Sequence, residues 1–417
     1  MADRIVLGNG YSFPTDTAQT GLNNNVAVIG CTGSGKTCSV VIPRLLNTYE
    51  TNLVLTDPKR ELVETFAPMF RERNYRVLEL NLDTPSKSDI CFDPLAYAET
   101  SEDISKLAAS VISALPECNK SDKFWSYSSQ LFAELLLRYT LQFKNHPTFA
   151  DFLLVSRSVR ERAGEVAEIS ISPVLDEFVQ SNPLHPLTTC YNNASEVSGR
   201  TLASVLITMR SVLSTVFSSE TEQMLRTKPT LDIDSLINTK TVLFITTDGA
   251  DEGTNAYVNL IYDTLLQYIM RKAKEFPGGK VPIPIHLIMD DFACGTTINS
   301  FPQMIATFRS KGISSTIILQ DESQLNTMYG EAGAKTILNN NDTIVYLGGN
   351  DLNTARDISV RLNVPLEDVL YMKLNSLAFF RRGQKPVIAE RYPLFEDEEY
   401  LKLIRRRNPD RMDKQLA

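Results

Sequence analysis

The chain has 417 residues, a formal net charge of −8 and 22% charged residues. That length allows a large core and two or three domains, and the composition is that of a soluble globular protein. The acidic balance excludes a globally basic nucleic-acid binder but leaves room for a local basic channel; no apolar run reaches the ~18 residues of a membrane span, and Met1-Ala2-Asp3-Arg4 opens no secretory signal.

Residues 1–25 read as a lead-in: a short strand, Ile5–Leu7, then polar, turn-rich sequence ending in Asn23-Asn24-Asn25. Val26–Ile29 is a short apolar run of the kind a buried parallel strand requires. Gly30-Cys31-Thr32-Gly33-Ser34-Gly35-Lys36-Thr37 follows and fits G-x-x-x-x-G-K-[ST], the phosphate-cradling loop. A helix is predicted from Thr37 to Leu46, kinked or shortened by Pro43. Strand, glycine-rich loop and helix stand in the order the chemistry needs. The glycines let the backbone bend around a phosphate, and the amides at the helix start favour negative charge. Contacts to a nucleoside triphosphate are expected from Gly30, Thr32, Gly33, Ser34, Gly35, Lys36, Thr37 and Cys38. Lys36 is expected to reach the outer phosphates, and the Thr37 hydroxyl to take one position on Mg²⁺.

Strands are next expected at Asn52–Thr56 and Tyr75–Leu80, with an amphipathic helix from Glu61 to Asn74 between them. This alternation predicts an α/β fold with a mainly parallel sheet covered on both faces. Asp57-Pro58-Lys59-Arg60-Glu61 closes the second strand, where charged groups face the ligand crevice or simply start a helix with Pro58 near its first position.

The alternation stops after Phe92-Asp93-Pro94-Leu95. Helical periods fill about 100–225: Ile104–Ala114, Phe124–Phe143, Thr148–Val155, Ser172–Gln180 and Ala194–Phe217. The expected organisation is therefore a nucleotide-binding domain from 1–95 and 226–400, an all-α insertion at 96–225 and a basic tail at 401–417. Trp125, the single tryptophan, is expected to be a buried anchor rather than a stacking platform.

The sheet resumes at Thr241–Thr246, followed by a helix from Ala256 to about Lys274 and a break at 275–280. Ile285–Met289 then ends in Asp290-Asp291, an apolar strand closing on two acids. Asp290 is expected to hold Mg²⁺ and Asp291 to polarise the attacking water. Further strands are expected at Ser314–Leu319, Thr343–Leu347, Leu377–Phe380 and Val387–Ala389. Gln320 closes one of them, placed to contact a γ-phosphate. Arg309 lies on the helix before it, either a solvated arginine or a finger inserted into a neighbouring subunit's site. From Leu403 the tail is basic and read as frayed. The six cysteines (31, 38, 91, 118, 190, 294) form no C-x-x-C pair and are read as reduced thiols; the three histidines (146, 185, 286) show no ligand spacing.

Taken in order, these stretches resemble the type IV secretion system coupling proteins, the TraG/TraD-type conjugative DNA-transfer ATPases. The matching stretches are Asn24-Asn25-Val26 leading into GCTGSGKT, LTDPKREL at 55–62, FDPL at 92–95 and FW at 124–125. They continue with IHLIMDDFA at 285–293, FRSKGISSTIILQDESQL at 308–325 and LGGNDLNTARDIS at 347–359. The resemblance implies a RecA-like P-loop motor domain interrupted by an all-α domain, with ATP and Mg²⁺ as ligands. It implies a homo-hexamer at the cytoplasmic face of the inner membrane. That ring would bring single-stranded DNA with its relaxase, or effector proteins, to the secretion channel. It also implies catalytic roles for Lys36, Asp290, Asp291, Gln320 and, across a subunit boundary, Arg309.

The sequence departs from the family pattern at three places. Asp291 stands where glutamate is usual, one methylene shorter. Arg60 stands where glycine is frequent, a change expected to be tolerable if that residue is helical. The family's pair of N-terminal membrane helices has no counterpart, so a soluble form is expected, with the anchor either truncated or supplied by a partner. Two readings follow: a translocating ATPase, or a recruitment platform that docks relaxosome or effector proteins with little turnover. A monomeric P-loop kinase or GTPase fits poorly, having no use for Arg309 in trans.

Overall fold

Short apolar runs pair into one large sheet in the computed structural model, which describes residues 2–114, 123–161, 169–170, 173–196, 199–249, 251–290, 292 and 297–407. The strands are β1 (Arg4–Gly8), β2 (Tyr11–Pro14), β3 (Val26–Ile29), β4 (Asn52–Asp57), β5 (Arg76–Asn81), β6 (Arg160–Glu161), β7 (Ile169–Ser170), β8 (Thr241–Thr246), β9 (Ile285–Met289), β10 (Ile313–Leu319), β11 (Thr343–Tyr346), β12 (Ser376–Arg381) and β13 (Val387–Glu390). Nine of them pair in the order β13-β12-β11-β3-β10-β9-β4-β8-β5. From β11 to β5 every pairing is parallel, and β12 and β13 add an antiparallel edge. Strands β3, β4, β8, β9 and β10 are buried at every position, as strands covered on both faces must be.

One face of the sheet packs against the helices Ile42–Leu46, Glu61–Glu72 and Glu398–Arg407, around Val28, Leu55, Phe66, Phe70 and Phe244. The other face packs on the helix Glu252–Lys272, and its core runs without a break into the helical insertion, from Ile29 and Ile245 through Leu265 to Phe132, Leu136 and Phe149. The insertion leaves and rejoins the sheet at one point. Cys91 N–H donates to Pro229 O (2.8 Å) and Leu231 N–H to Cys91 O (2.8 Å). Asp93 fastens that point, since its carboxylate accepts from Leu95 N–H (2.9 Å) and from Phe149 N–H (3.0 Å), the first residue of an insertion helix.

Several boundaries differ from the sequence reading for local reasons. The lead-in contains β2, which pairs with β1 as a separate antiparallel ribbon. The helix expected at Ala194–Phe217 is two helices, Pro186–Ser195 and Gly199–Val216. Among the described residues of 96–225 the regular structure is helical apart from the ribbon of the two-residue strands β6 and β7. The helix Glu398–Arg407 crosses the expected 400/401 boundary and is docked rather than frayed. Tyr400 and Leu403 are buried, Arg406 pairs with Glu72 (2.6 Å) and Arg407 with Glu64 (2.8 Å); Arg411 and Lys414 lie outside the described residues. Trp125, expected to be buried, is half-buried and packs against the core. Cys31, Cys38, Cys91 and Cys190 are free thiols, and Cys118 and Cys294 lie outside the described residues. Among the described residues no single helix is long and apolar enough to cross a membrane.

Candidate functional site

The loop after β3 closes on itself and on its neighbours. Gly30 N–H donates to Leu319 O (3.1 Å), Cys31 N–H to Gly348 O (3.1 Å) and Ser34 N–H to Cys31 O (3.1 Å). Gly33 and Gly35 both lie at φ +78°, the left-handed region that favours glycine. Gly30 is required by space: a Cβ there would fall 2.5 Å from Ser34 Oγ and 3.0 Å from Leu347 Cβ. Lys36 Nζ folds back over the loop and donates to Gly30 O (2.7 Å) and Cys31 O (3.2 Å). The Ser34 hydroxyl is buried without a hydrogen-bond partner. Thr32 and Cys38 are exposed, and Gly33 with them, while Thr37 is half-buried.

The helix after the loop starts with a wide π-type turn, Thr37–Val41, in which Ile42 N–H reaches Thr37 O. Pro43 then occupies the first turn of Ile42–Leu46. Having no N–H, Pro43 cannot close the ordinary i→i−4 bond, so the expected kink takes this form.

Parallel register brings the other strand ends level with this loop. Leu319 pairs with Ile29, so Gln320 stands beside Gly30. Gln320 lines a cleft of about 380 Å³ with Cys31, Thr32, Tyr346, Asn350 and Asp351. Met289 pairs with Ile317, so Asp290 closes the next strand over. At a strand spacing of about 4.8 Å, Asp290 lies on the order of 10 Å from the axis of β3. Its backbone N–H donates to Thr56 Oγ1 (2.8 Å). Asp291 lies outside the described residues. Among the described residues no three of His, Cys, Asp or Glu gather as a metal centre.

Asp57, at the end of β4, is buried and accepts from Val63 N–H (2.8 Å), fastening the helix Glu61–Glu72 to the sheet edge. Burial pushes its carboxyl up to about 6, against the lowering pull of the Val63 and Leu62 N–H groups. Pro58 precedes that helix instead of opening it. Arg60 is not helical: it caps the helix at φ +58°. The left-handed backbone explains why glycine suits this position. What holds arginine there is a two-pronged pair to Glu79 (2.7 and 3.0 Å) and a third bond to Glu64 (3.0 Å).

Arg309 is at the opposite end of the molecule's sheet. It sits on the short helix Phe308–Lys311 just before β10 begins, and its Nη2 donates to Thr17 O (3.2 Å). The seven residues of β10 at about 3.3 Å each separate it from Gln320 by roughly 20 Å. Lys36, Thr37, Gln320 and Asp290 therefore belong to the same sheet end, with Asp290 in a neighbouring cleft beside Thr56 and Asn255, and Arg309 does not join them within the chain. A residue with no motif of its own does join them: Arg391, directly after β13, donates from Nη1 to Ser34 O (2.7 Å). Nothing in its sequence neighbourhood marks it, because the contact depends on how the edge strands fold back.

Residues 4–363 match the family described as type IV secretory system conjugative DNA transfer. No curated protein matches the sequence. The fold is similar to that of the bacterial conjugative coupling protein TrwB lacking its N-terminal 70 residues, in complex with sulphate. The TM-score is 0.69 at 17% identity, covering 94% of this chain and 90% of that one. It is similar to the plasmid coupling protein TrwB in complex with ADP and Mg²⁺, with TM-score 0.68, 17% identity and the same 94% and 90% coverage. It is also similar to VirB4 of Thermoanaerobacter pseudethanolicus, with TM-score 0.58, 14% identity and coverage of 95% and 98%. At these identities the likeness is one of fold, a RecA-like P-loop architecture.

Proposed function

Because the chain belongs to the type IV secretory system conjugative DNA transfer family, we propose that it is an ATP-hydrolysing coupling protein. In this reading a homo-hexameric ring at the cytoplasmic face of the inner membrane moves single-stranded DNA, with its relaxase, or effector proteins toward a secretion channel. The observation that carries the proposal is the split placement of the site. The strand ends that carry the phosphate loop, Asp290 and Gln320 lie at the same end of the sheet, while Arg309 is exposed at the other. Such an arrangement suits a site completed by a neighbouring subunit.

The residues present fit Mg²⁺–ATP. The loop bends where phosphate oxygens need room, Ser34 keeps a buried hydroxyl without a partner, and Lys36 holds only backbone carbonyls that a phosphate can replace. The family fold has been solved with ADP and Mg²⁺ in TrwB. Bound Mg²⁺–ATP supplies the transferable phosphoryl group and a cation to neutralise it. Lys36 and the loop amides bind the phosphates. The Thr37 hydroxyl and Asp290 would hold the metal; one or two protein oxygens are the usual share for Mg²⁺. Gln320 reads the γ-position from the adjacent strand. Asp291 is assigned to orienting water. Arg309 of one subunit stabilises developing charge in the next, so positioning and electrostatics do most of the catalysis.

Lys36→Ala tests the site. It should abolish ATP turnover while leaving the circular-dichroism spectrum and thermal midpoint unchanged. Turnover retained in that variant would sink the assignment.

A further inference from the structure

Arg391 is half-buried and has no carboxylate partner among the described residues. Its guanidinium instead donates to three backbone carbonyls on three separate elements. These are Ser34 O in the phosphate loop (2.7 Å), Leu347 O after β11 (3.4 Å) and Ser376 O at the start of β12 (3.2 Å). Desolvation lowers the pKa of the guanidinium, so the fold keeps a cation at some cost next to a loop with no anion of its own. The approach is close enough that a Cβ on residue 35 would lie 2.7 Å from Nη1. Gly35 is therefore needed for this contact as well as for its φ.

We propose that Arg391 is a positioning residue of the nucleotide site, acting in the same subunit by fixing the Ser34–Gly35 peptide from outside the loop. This rests on the reading of the loop as a nucleotide site. In a trans peptide the C=O and the following N–H point in opposite directions. An arginine that holds Ser34 O on the outer side therefore aims Gly35 N–H at the inner side, where phosphate is cradled. The fixed charge adds to the positive potential there. The planar fork is what allows three carbonyls to be held at once, and a lysine ammonium is a point donor on a flexible stem. The same contact ties the loop to the antiparallel edge of the sheet.

The test is calorimetric titration of the full chain with Mg²⁺-ATP and, separately, inorganic tripolyphosphate, alongside thermal melting. Arg391→Met keeps bulk without charge and should weaken both ligands by a similar factor, on the order of tenfold. Arg391→Lys should fall between Met and wild type. Free guanidinium ion at millimolar concentration should restore part of the affinity of Arg391→Ala. Wild-type affinity in Arg391→Met, or no rescue of Arg391→Ala in a variant that melts as wild type, overturns the role of Arg391. A wild-type chain that binds neither ligand overturns the nucleotide-site reading itself.

Discussion

Asp263 offers a prediction whose size can be worked out from its surroundings. It lies on the helix Glu252–Lys272, the element that joins the sheet to the insertion. One oxygen accepts a bond from Ser110 Oγ on the helix Ser101–Ser113, and the carboxylate as a whole is buried. Burial pushes its carboxyl from 3.8 to about 6, with the Ser110 and Gln267 side chains and the Lys106 charge opposing. The folded pKa is thus above the unfolded one. The carboxyl's contribution to stability is full below the unfolded pKa and is lost as the pH rises through about 6. At 1.36 kcal/mol per pH unit, the loss amounts to about 3 kcal/mol by neutral pH. Asp263→Asn has nearly the same shape and no titration. Its stability relative to wild type should therefore rise by about 2–3 kcal/mol between roughly pH 4 and pH 7.5, whatever constant offset the amide introduces. Urea unfolding followed by fluorescence of Trp125, the single tryptophan, reads this difference directly. A difference that stays flat with pH would show that Asp263 ionises at the same pH in the folded and unfolded chain and that the burial argument is wrong.

Arg60→Gly should change stability by less than about 1 kcal/mol, because relief of the left-handed backbone offsets the lost pairs to Glu79 and Glu64. Arg60→Ala loses the pairs and keeps the strain, so it should be about 1 kcal/mol less stable than Arg60→Gly; equal stability of the two would mean that residue 60 is not left-handed in solution. Arg309→Ala should lose turnover, yet mixing it with Lys36→Ala subunits should recover part of it, because one shared site in a mixed ring keeps both residues. Activity flat at every mixing ratio would argue against a finger in trans. DNA binding, if it runs through basic loops and the phosphate backbone, should weaken steeply with salt and show little sequence preference, which filter binding at several ionic strengths measures.

The phosphate loop was legible because its backbone demands are written in residue types. Gly33 and Gly35 take the left-handed angles that only glycine adopts freely, and Gly30 sits where a side chain has no room. The central strands β3, β4, β8, β9 and β10 were legible as short apolar runs, since they are buried on both faces. Their spatial order was not, because pairing β3 between β10 and β11 is a long-range choice that no local pattern records. The ribbon strand β2 was missed because its residues are exposed or half-buried and carry no clear alternation. Most of the docked helix Glu398–Arg407 falls in the stretch from 401 that reads as a basic tail in the sequence. Its arginines concealed Tyr400 and Leu403, which supply the buried stripe, and the acids that answer those arginines lie far back on Glu61–Glu72. For Arg60 the sequence supports only a condition, that arginine is tolerable there if the residue is helical; the condition is not met, because the turn in which Arg60 N–H donates to Asp57 O holds it in the left-handed region. Arg391 escaped notice for the same reason as the strand order: its partner is reached only through the folded edge of the sheet.

The most direct measurement is the ATP hydrolysis rate of the full chain, with its hexameric mass verified by light scattering, in the presence and absence of single-stranded DNA. A translocating ATPase predicts turnover that single-stranded DNA stimulates and that Lys36→Ala abolishes. A verified hexamer that binds nucleotide yet shows no stimulated hydrolysis would contradict that function and leave a docking platform in its place.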